Sequence, residues 1–326
     1  MSHPTAPAGT APDGKDAVWV DLAAGDLTAR ILSYGAVLAD FRVDGRPIVL
    51  GSDRLEDFVG PLKHAGAVVG RVANRIGGAA FDWKGGTVRL DANDGRNILH
   101  GGTEGTGRLT WDVADATPTS CRLRLTLPDG HMGFPGEMSV SATYSLDPDG
   151  LSLVIEAMAA EDTLSAFAHH PFFDLTGKGE GRRQTVRVAA DRYLPVNDQT
   201  LPTGKIAPVD GTPFDLRAGR TLDEDTVYDN NWCLSNGRGP MRDVAALEAD
   251  GLRLTLATTE PGLQLFDGHK FDGAPGHDGA VYGPYAGYAV EAQHWPDTPH
   301  NPDFPPILRR AGETDRMEVR YRIERV

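Results

Sequence analysis

Cysteine is scarce in this chain: Cys121 and Cys233 are the only two in 326 residues. Two are too few for a disulfide framework, and with no C-x-x-C spacing they offer no thiolate metal site. Cys233 reads as a small buried hydrophobe, because nothing near it in sequence is basic enough to hold a thiolate. Positive charge is in deficit as well. Against 46 Asp and Glu stand 32 Lys and Arg, a formal net charge of −14. A nucleic acid or an anionic membrane would be repelled over most of such a surface, whereas a neutral small molecule would not. Long apolar runs are missing too. No stretch resembles a signal region or a spanning helix, so a cytoplasmic protein is expected. There is no P-loop, no dinucleotide glycine signature, no H-E-x-x-H and no G-x-S-x-G elbow.

Helical periodicity is nearly absent, and what fills its place is alternation. "CRLRLTL", "MSVSATYSLDPDGLSLVIEAMA", "TVRVAA", "LRLTLATTEPGLQLF" and "MEVRYRIERV" repeat with period two and are rich in Val, Ile, Thr and Tyr. They read as half-buried strands separated by Asp-Gly and Gly-Gly turns, repeated end to end as in an all-β sandwich. Only "SDRLEDF" (52–58) and "PMRDVAAL" (240–247) suggest short turns of helix. Residues 1–16, made largely of Pro, Gly, Ala and Thr without an apolar period, are expected to be a flexible tail. Residues 17–326 show no internal repeat and no linker, and are expected to form one domain.

Two segments break the apolar pattern with titratable groups. In "FAHHPFF" (167–173) a strand would send His169 to one face with Phe167, and His170 to the other with Ala168 and Phe172. The pair is therefore poorly placed to chelate one metal, and either histidine could be a hydrogen-bonded core residue. In "GYAVEAQHWPD" (287–297) Glu291 shares a face with Ala289, Gln293 and Trp295. A carboxylate there is costly to bury ionised, so its pKa should rise toward the range useful to a general base. A structural carboxylate paired with an arginine is the competing reading.

Polar, glycine-bearing stretches supply candidate ligands. "GRVANRIGG" (70–78) and "NILHGG" (97–102) carry Asn74, Arg75 and His100, which could donate to a polyol or simply fix loops. "VYDNNWCL" (227–234) puts Asp229 and two asparagines beside Trp232, a style suited to sugars, with an aromatic face on the ring and planar polar groups on the hydroxyls. "GHKFDGAPGHDG" (268–279) holds His269, Asp272, His277 and Asp278, and reads as a solvated loop with at most weak affinity for a cation.

Taken together these segments resemble the aldose 1-epimerase (mutarotase) family over nearly the whole chain after the tail. "GRVANRI" is similar to the family's G-R-x-A-N-R-I, "NILHGG" to N-x-L-H-G-G, and "HPFFDLTG" to H-x-Y-F-N-L-x-G. "TEPGLQLF" is similar to P-G-x-Q-x-[YF], and "VEAQHWPD" to L-E-x-Q-x-x-P-D. The resemblance implies a large antiparallel β-sandwich, the galactose mutarotase-like supersandwich, with an open sugar cleft and neither cofactor nor metal. It implies His170 as general acid and Glu291 as general base, with Asn74, Arg75, His100, Asp229 and Gln264 contacting the sugar. The implied activity interconverts the α and β anomers of a free aldose. The implied partner is a monosaccharide, with no nucleic acid or membrane, in a monomer or homodimer. Asp229 or His100 is expected to raise the pKa of His170.

Departures from the family pattern fall at Asp174 in place of Asn, Asn230 in place of His, and Ala292 in place of Pro. Asn230 adjoins the expected sugar contacts and bears on which sugar is preferred. Three rival readings remain: a hexose-6-phosphate 1-epimerase, which would need a cluster of arginines near Arg71 and Arg75; a sugar-binding module without turnover; and a glycoside hydrolase using Glu291 with Asp229.

Overall fold

The computed structural model describes residues 5–326. Its largest sheet has eight strands, in the order Asp112–Ala116, Ser120–Leu127, Met138–Asp147, Gly150–Ala159, Thr314–Arg325, Leu252–Thr258, Arg242–Ala249 and Thr185–Val188. A six-stranded sheet runs Phe172–Phe173, Tyr288–Gln293, Gly262–Phe266, Asp229–Cys233, Arg192–Leu194 and Ala207–Pro208. Neighbouring strands in both are antiparallel.

The core lies between these sheets. Period-two alternation sends Cys121, Leu123, Leu125 and Leu127 inward from the large sheet, where they join Leu263, Leu265, Val290 and Ala292 of the smaller one. A five-stranded sheet, Thr5–Thr10, Asp16–Ala24, Leu27–Leu32, Val37–Val43 and Arg46–Pro47, adds Val20, Leu22 and Phe41 to the same apolar cluster. The all-β sandwich read from the alternation is the fold observed. No helix among the described residues is long and apolar enough to cross a membrane.

Two local expectations are corrected. Within the stretch expected to be a flexible tail, Thr5–Thr10 is a strand, paired from Thr5↔Val20 to Thr10↔Asp16. Residues 1–4 lie outside the described residues. Edge pairing uses backbone N–H and C=O groups that Thr, Ala and Gly carry like any residue, so it leaves no apolar period to read. Asp13 adds an anchor, accepting from the Thr110 amide at 2.7 Å and its hydroxyl at 2.9 Å. The second correction is "PMRDVAAL". Arg242–Ala249 is a strand, and an irregular register between Asp243 and Ala245 buries Val244 and Ala245 together, which imitates a helical spacing. Leu55–Val59 is helical as expected.

Candidate active site

The strand Tyr288–Gln293 is buried along its whole length, yet its two faces meet different surroundings. Tyr288, Val290 and Ala292 enter the sandwich core. Glu291 faces the other way, directly across from Gln264 on the adjoining strand, which in turn pairs with Asn231. Asp229, two residues along, lies on the same face and accepts a 2.7 Å hydrogen bond from Gln264 Nε2. The outer face of the six-stranded sheet thus carries a row of planar polar groups on a rigid support.

His170 reaches this row from an adjacent crossing. Ala168–His169 pairs with Val68–Val69, and the peptide of His170 is held at both ends: its N–H donates to Ala67 at 3.0 Å and its C=O accepts from Gly66 at 2.8 Å. The alternation separates the two histidines as the sequence implied. His169 Nδ1 lies 2.9 Å from the Tyr321 hydroxyl and its Nε2 lies 3.2 Å from Tyr144, whose hydroxyl donates to Ala36 C=O at 2.7 Å. Because Tyr144 spends its proton on Ala36, Nε2 carries the His169 proton and Nδ1 accepts from Tyr321. His169 is therefore the core histidine, and burial pushes its pKa down to about 3. His170 turns outward, with Nε2 3.5 Å from Oε1 of Glu291.

Burial works against charge on both members of this pair. Glu291 is raised well above the ordinary carboxylate range, first by burial and then by the negative charge of Asp229, with Arg75 opposing. His170 is pushed down to about 4 by burial. The expectation that Asp229 or His100 raises the pKa of His170 is corrected. Asp229 acts on Glu291 instead, and is itself raised by its own burial.

The remaining expected residues close the opposite wall. Arg75–Ile76 pairs with Ile98–Leu99, which sets Asn74 beside His100. Both adopt left-handed backbone, φ 59° and 52°, and the two glycines that follow His100 also have positive φ. The Asn74 amide donates to His100 Nδ1 at 3.2 Å, so the His100 ring proton sits on Nε2. Asn74 Oδ1 accepts from the Arg75 amide at 2.9 Å, and Arg75 Nε donates to Asp94 at 2.7 Å. These bonds fix loops, yet the same side chains border the cleft. All seven expected residues, His170, Glu291, Asn74, Arg75, His100, Asp229 and Gln264, line one cavity of about 220 Å³.

A family model described as aldose 1-epimerase matches residues 20–322. The chain belongs to the aldose 1-epimerase family. It is 37% identical over 322 residues to the galactose mutarotase of Rattus norvegicus, covering 94% of each chain. It is similar in structure to an aldose epimerase homologue from C. elegans, with a TM-score of 0.89 at 27% identity over 94% of this chain and 99% of that one. The galactose 1-epimerase of Lactobacillus acidophilus NCFM superposes with a TM-score of 0.83 at 29% identity, covering 99% of both.

Set against the family, the departures fall away from the cleft. Asn230 points to the core face and donates to Leu194 C=O at 3.1 Å, away from the cleft. Ala292 is a core residue. Asp174 organises the loop after it, accepting from the amides of Thr176, Lys178, Gly179 and Glu180 at 2.6–3.3 Å. Trp232 is corrected as a sugar platform. Three residues from Asp229, it faces the opposite side, fully buried, and donates to Phe214 C=O. The aromatic surface of the cleft comes from Phe172, Phe266 and Phe271. Arg71 is also buried away from it, donating to Pro135 and Gly136 carbonyls, so no arginine cluster forms with Arg75.

Sequence reasoning missed Lys63, His64 and Lys270, all at the cleft. Lys270 and Phe271 lie in the stretch read as a solvated loop, which therefore contributes to the cleft. Among the described residues no group of His, Cys, Asp and Glu is arranged to hold a metal. "GPLKHAG" gave one weak signal, a Lys-His pair inside small residues.

Proposed function

We propose that this protein is an aldose 1-epimerase acting on a free monosaccharide, with His170 as general acid and Glu291 as general base. The observation that carries the reading is their juxtaposition, 3.5 Å apart inside a cleft walled by hydrogen-bonding side chains. With one proton to share, the pair has two states, His170 protonated with Glu291 ionised, or both neutral. From the first, Glu291 takes the C1 hydroxyl proton while His170 protonates the ring oxygen. The C1–O5 bond breaks, the aldehyde forms, and the pair is left in the second state. After rotation about C1–C2, the C5 hydroxyl oxygen attacks the other carbonyl face. It gives its proton to His170 as Glu291 protonates the carbonyl oxygen, which restores the first state. The reaction thus runs between the pair's own proton arrangements and needs no net proton from solvent. Each placed transfer contributes roughly 10² to 10⁴ in rate.

Asn74, Arg75, His100, Asp229 and Gln264 would hold the hydroxyls, and Phe172, Phe266 and Phe271 would cover the apolar face of the ring. A monomer or a homodimer with independent sites is the assembly we propose, since a single chain brings acid, base and hydroxyl-binding side chains to one cavity. The apolar cluster joining residues 20 to 321 supports a single domain. A cytoplasmic setting accords with two unbonded cysteines whose thiols burial raises to about 12. Polarimetry of freshly dissolved α-anomers of D-galactose, D-glucose, D-xylose, L-arabinose and L-fucose tests the reading. Acceleration over buffer for at least one is expected; binding without acceleration of any would favour a non-catalytic sugar module.

A further inference from the structure

His64 borders the cleft beside His100, their ring centroids 5.0 Å apart, and the His100 ring lies 5.3 Å from that of His170. The turn that carries it is held by backbone bonds: Lys63 N–H donates to Gly60, Ala65 N–H to Leu62, and Ala67 N–H to His64. Gly66 N–H then ties the turn to the His170 carbonyl at 2.8 Å. The imidazole takes no part in this, and its Nδ1 is buried without a hydrogen-bond partner among the described residues. A histidine kept for structure would use that nitrogen, since a buried unpaired polar atom is costly. The residue stands in left-handed backbone, φ 71°, a conformation histidine adopts more readily than most non-glycine residues. Burial drives its pKa well below the usual histidine value, helped by the neighbouring His170 and Lys63. A neutral imidazole offers one donor and one acceptor, which matches a hydroxyl group and does not match an anion.

We propose that His64 is a specificity-determining ligand of the aldose, hydrogen-bonding one sugar hydroxyl next to the one contacted by His100. The proposal rests on the epimerase reading above and extends it by one subsite. In this assignment the proton transfers stay with His170 and Glu291, and His64 governs which aldose is held.

The experiment compares wild type, His64→Phe and His64→Asn on the best aldose and on its 2-, 3-, 4- and 6-deoxy analogues. Phe keeps a planar ring without nitrogens; Asn tolerates the left-handed backbone and restores a polar group close to the backbone. On the parent sugar His64→Phe should raise KM about tenfold with kcat little changed, the effect of one lost hydrogen bond. On one deoxy analogue, the one lacking the bonded hydroxyl, wild type and His64→Phe should have the same KM, and His64→Asn should recover part of the loss on the parent. An unchanged KM on the parent, or an equal loss on every analogue, would overturn the role of His64 while leaving the epimerase reading intact. A wild type that accelerates no aldose would remove both.

Discussion

Asp229 and Glu291 share one sheet face, on the strands either side of the one that carries Gln264, and the charge of the first adds to burial in holding up the pKa of the second. This coupling sets the working pH range. In the proposed mechanism the His170–Glu291 pair must keep its single shared proton. Below about 4, where His170 titrates, a second proton removes the base; on the alkaline side, loss of the shared proton from Glu291 removes the acid. The kcat/KM profile, which reports the free enzyme, should therefore be bell-shaped. Asp229→Asn removes a charge that raises Glu291, so its alkaline limb should move to lower pH. An unshifted alkaline limb would contradict the coupling.

His169 makes folding itself pH-dependent. Its pKa is about 3 in the folded protein against roughly 6.5 when unfolded. Between these values the unfolded chain binds the extra proton, so stability falls as pH drops from the upper value and stops falling below the lower one. His169→Gln should flatten the plot of unfolding free energy against pH in that window by up to about 1.4 kcal/mol per pH unit. Urea titrations at several pH values measure this.

Tyr321 satisfies His169 Nδ1 from the eight-stranded sheet. Tyr321→Phe leaves that nitrogen buried and unpaired, and should destabilise the protein by about 1–3 kcal/mol. Denaturant unfolding of the variant at neutral pH reports the loss.

Arg75 is aimed by Asp94, at 2.7 Å, across the rim of the cleft. Asp94→Asn should raise KM by roughly two- to fivefold, consistent with a partly exposed ion pair, while kcat changes little. Steady-state kinetics on the preferred aldose separate the two constants.

Much of the fold was legible because its strands bury one face and expose the other, as in "CRLRLTL". The edge strand Thr5–Thr10 was not, since backbone pairing with exposed side chains leaves no alternation. Arg242–Ala249 was obscured by its irregular register. Glu291 stood out as a carboxylate among small and aromatic neighbours, but the residues alone did not choose between His169 and His170. That choice depends on Tyr144 and Tyr321, which reach His169 only through tertiary packing. The resemblance to the family supplied the choice. Trp232 and Asn230 were placed on the sugar side because composition shows proximity in sequence, whereas strand parity sends them into the core. His64 carries only the weak signal of the Lys-His pair in "GPLKHAG". Its place beside His100 follows from a turn docked on His170.

Glu291→Gln tests the central claim most directly. The substitution keeps size and hydrogen bonding but removes the base, so polarimetric epimerisation of the best aldose should fall by at least about 10² while the sugar still binds. Retention of most of the wild-type rate would contradict the assignment of Glu291 and His170 as the pair that moves the protons.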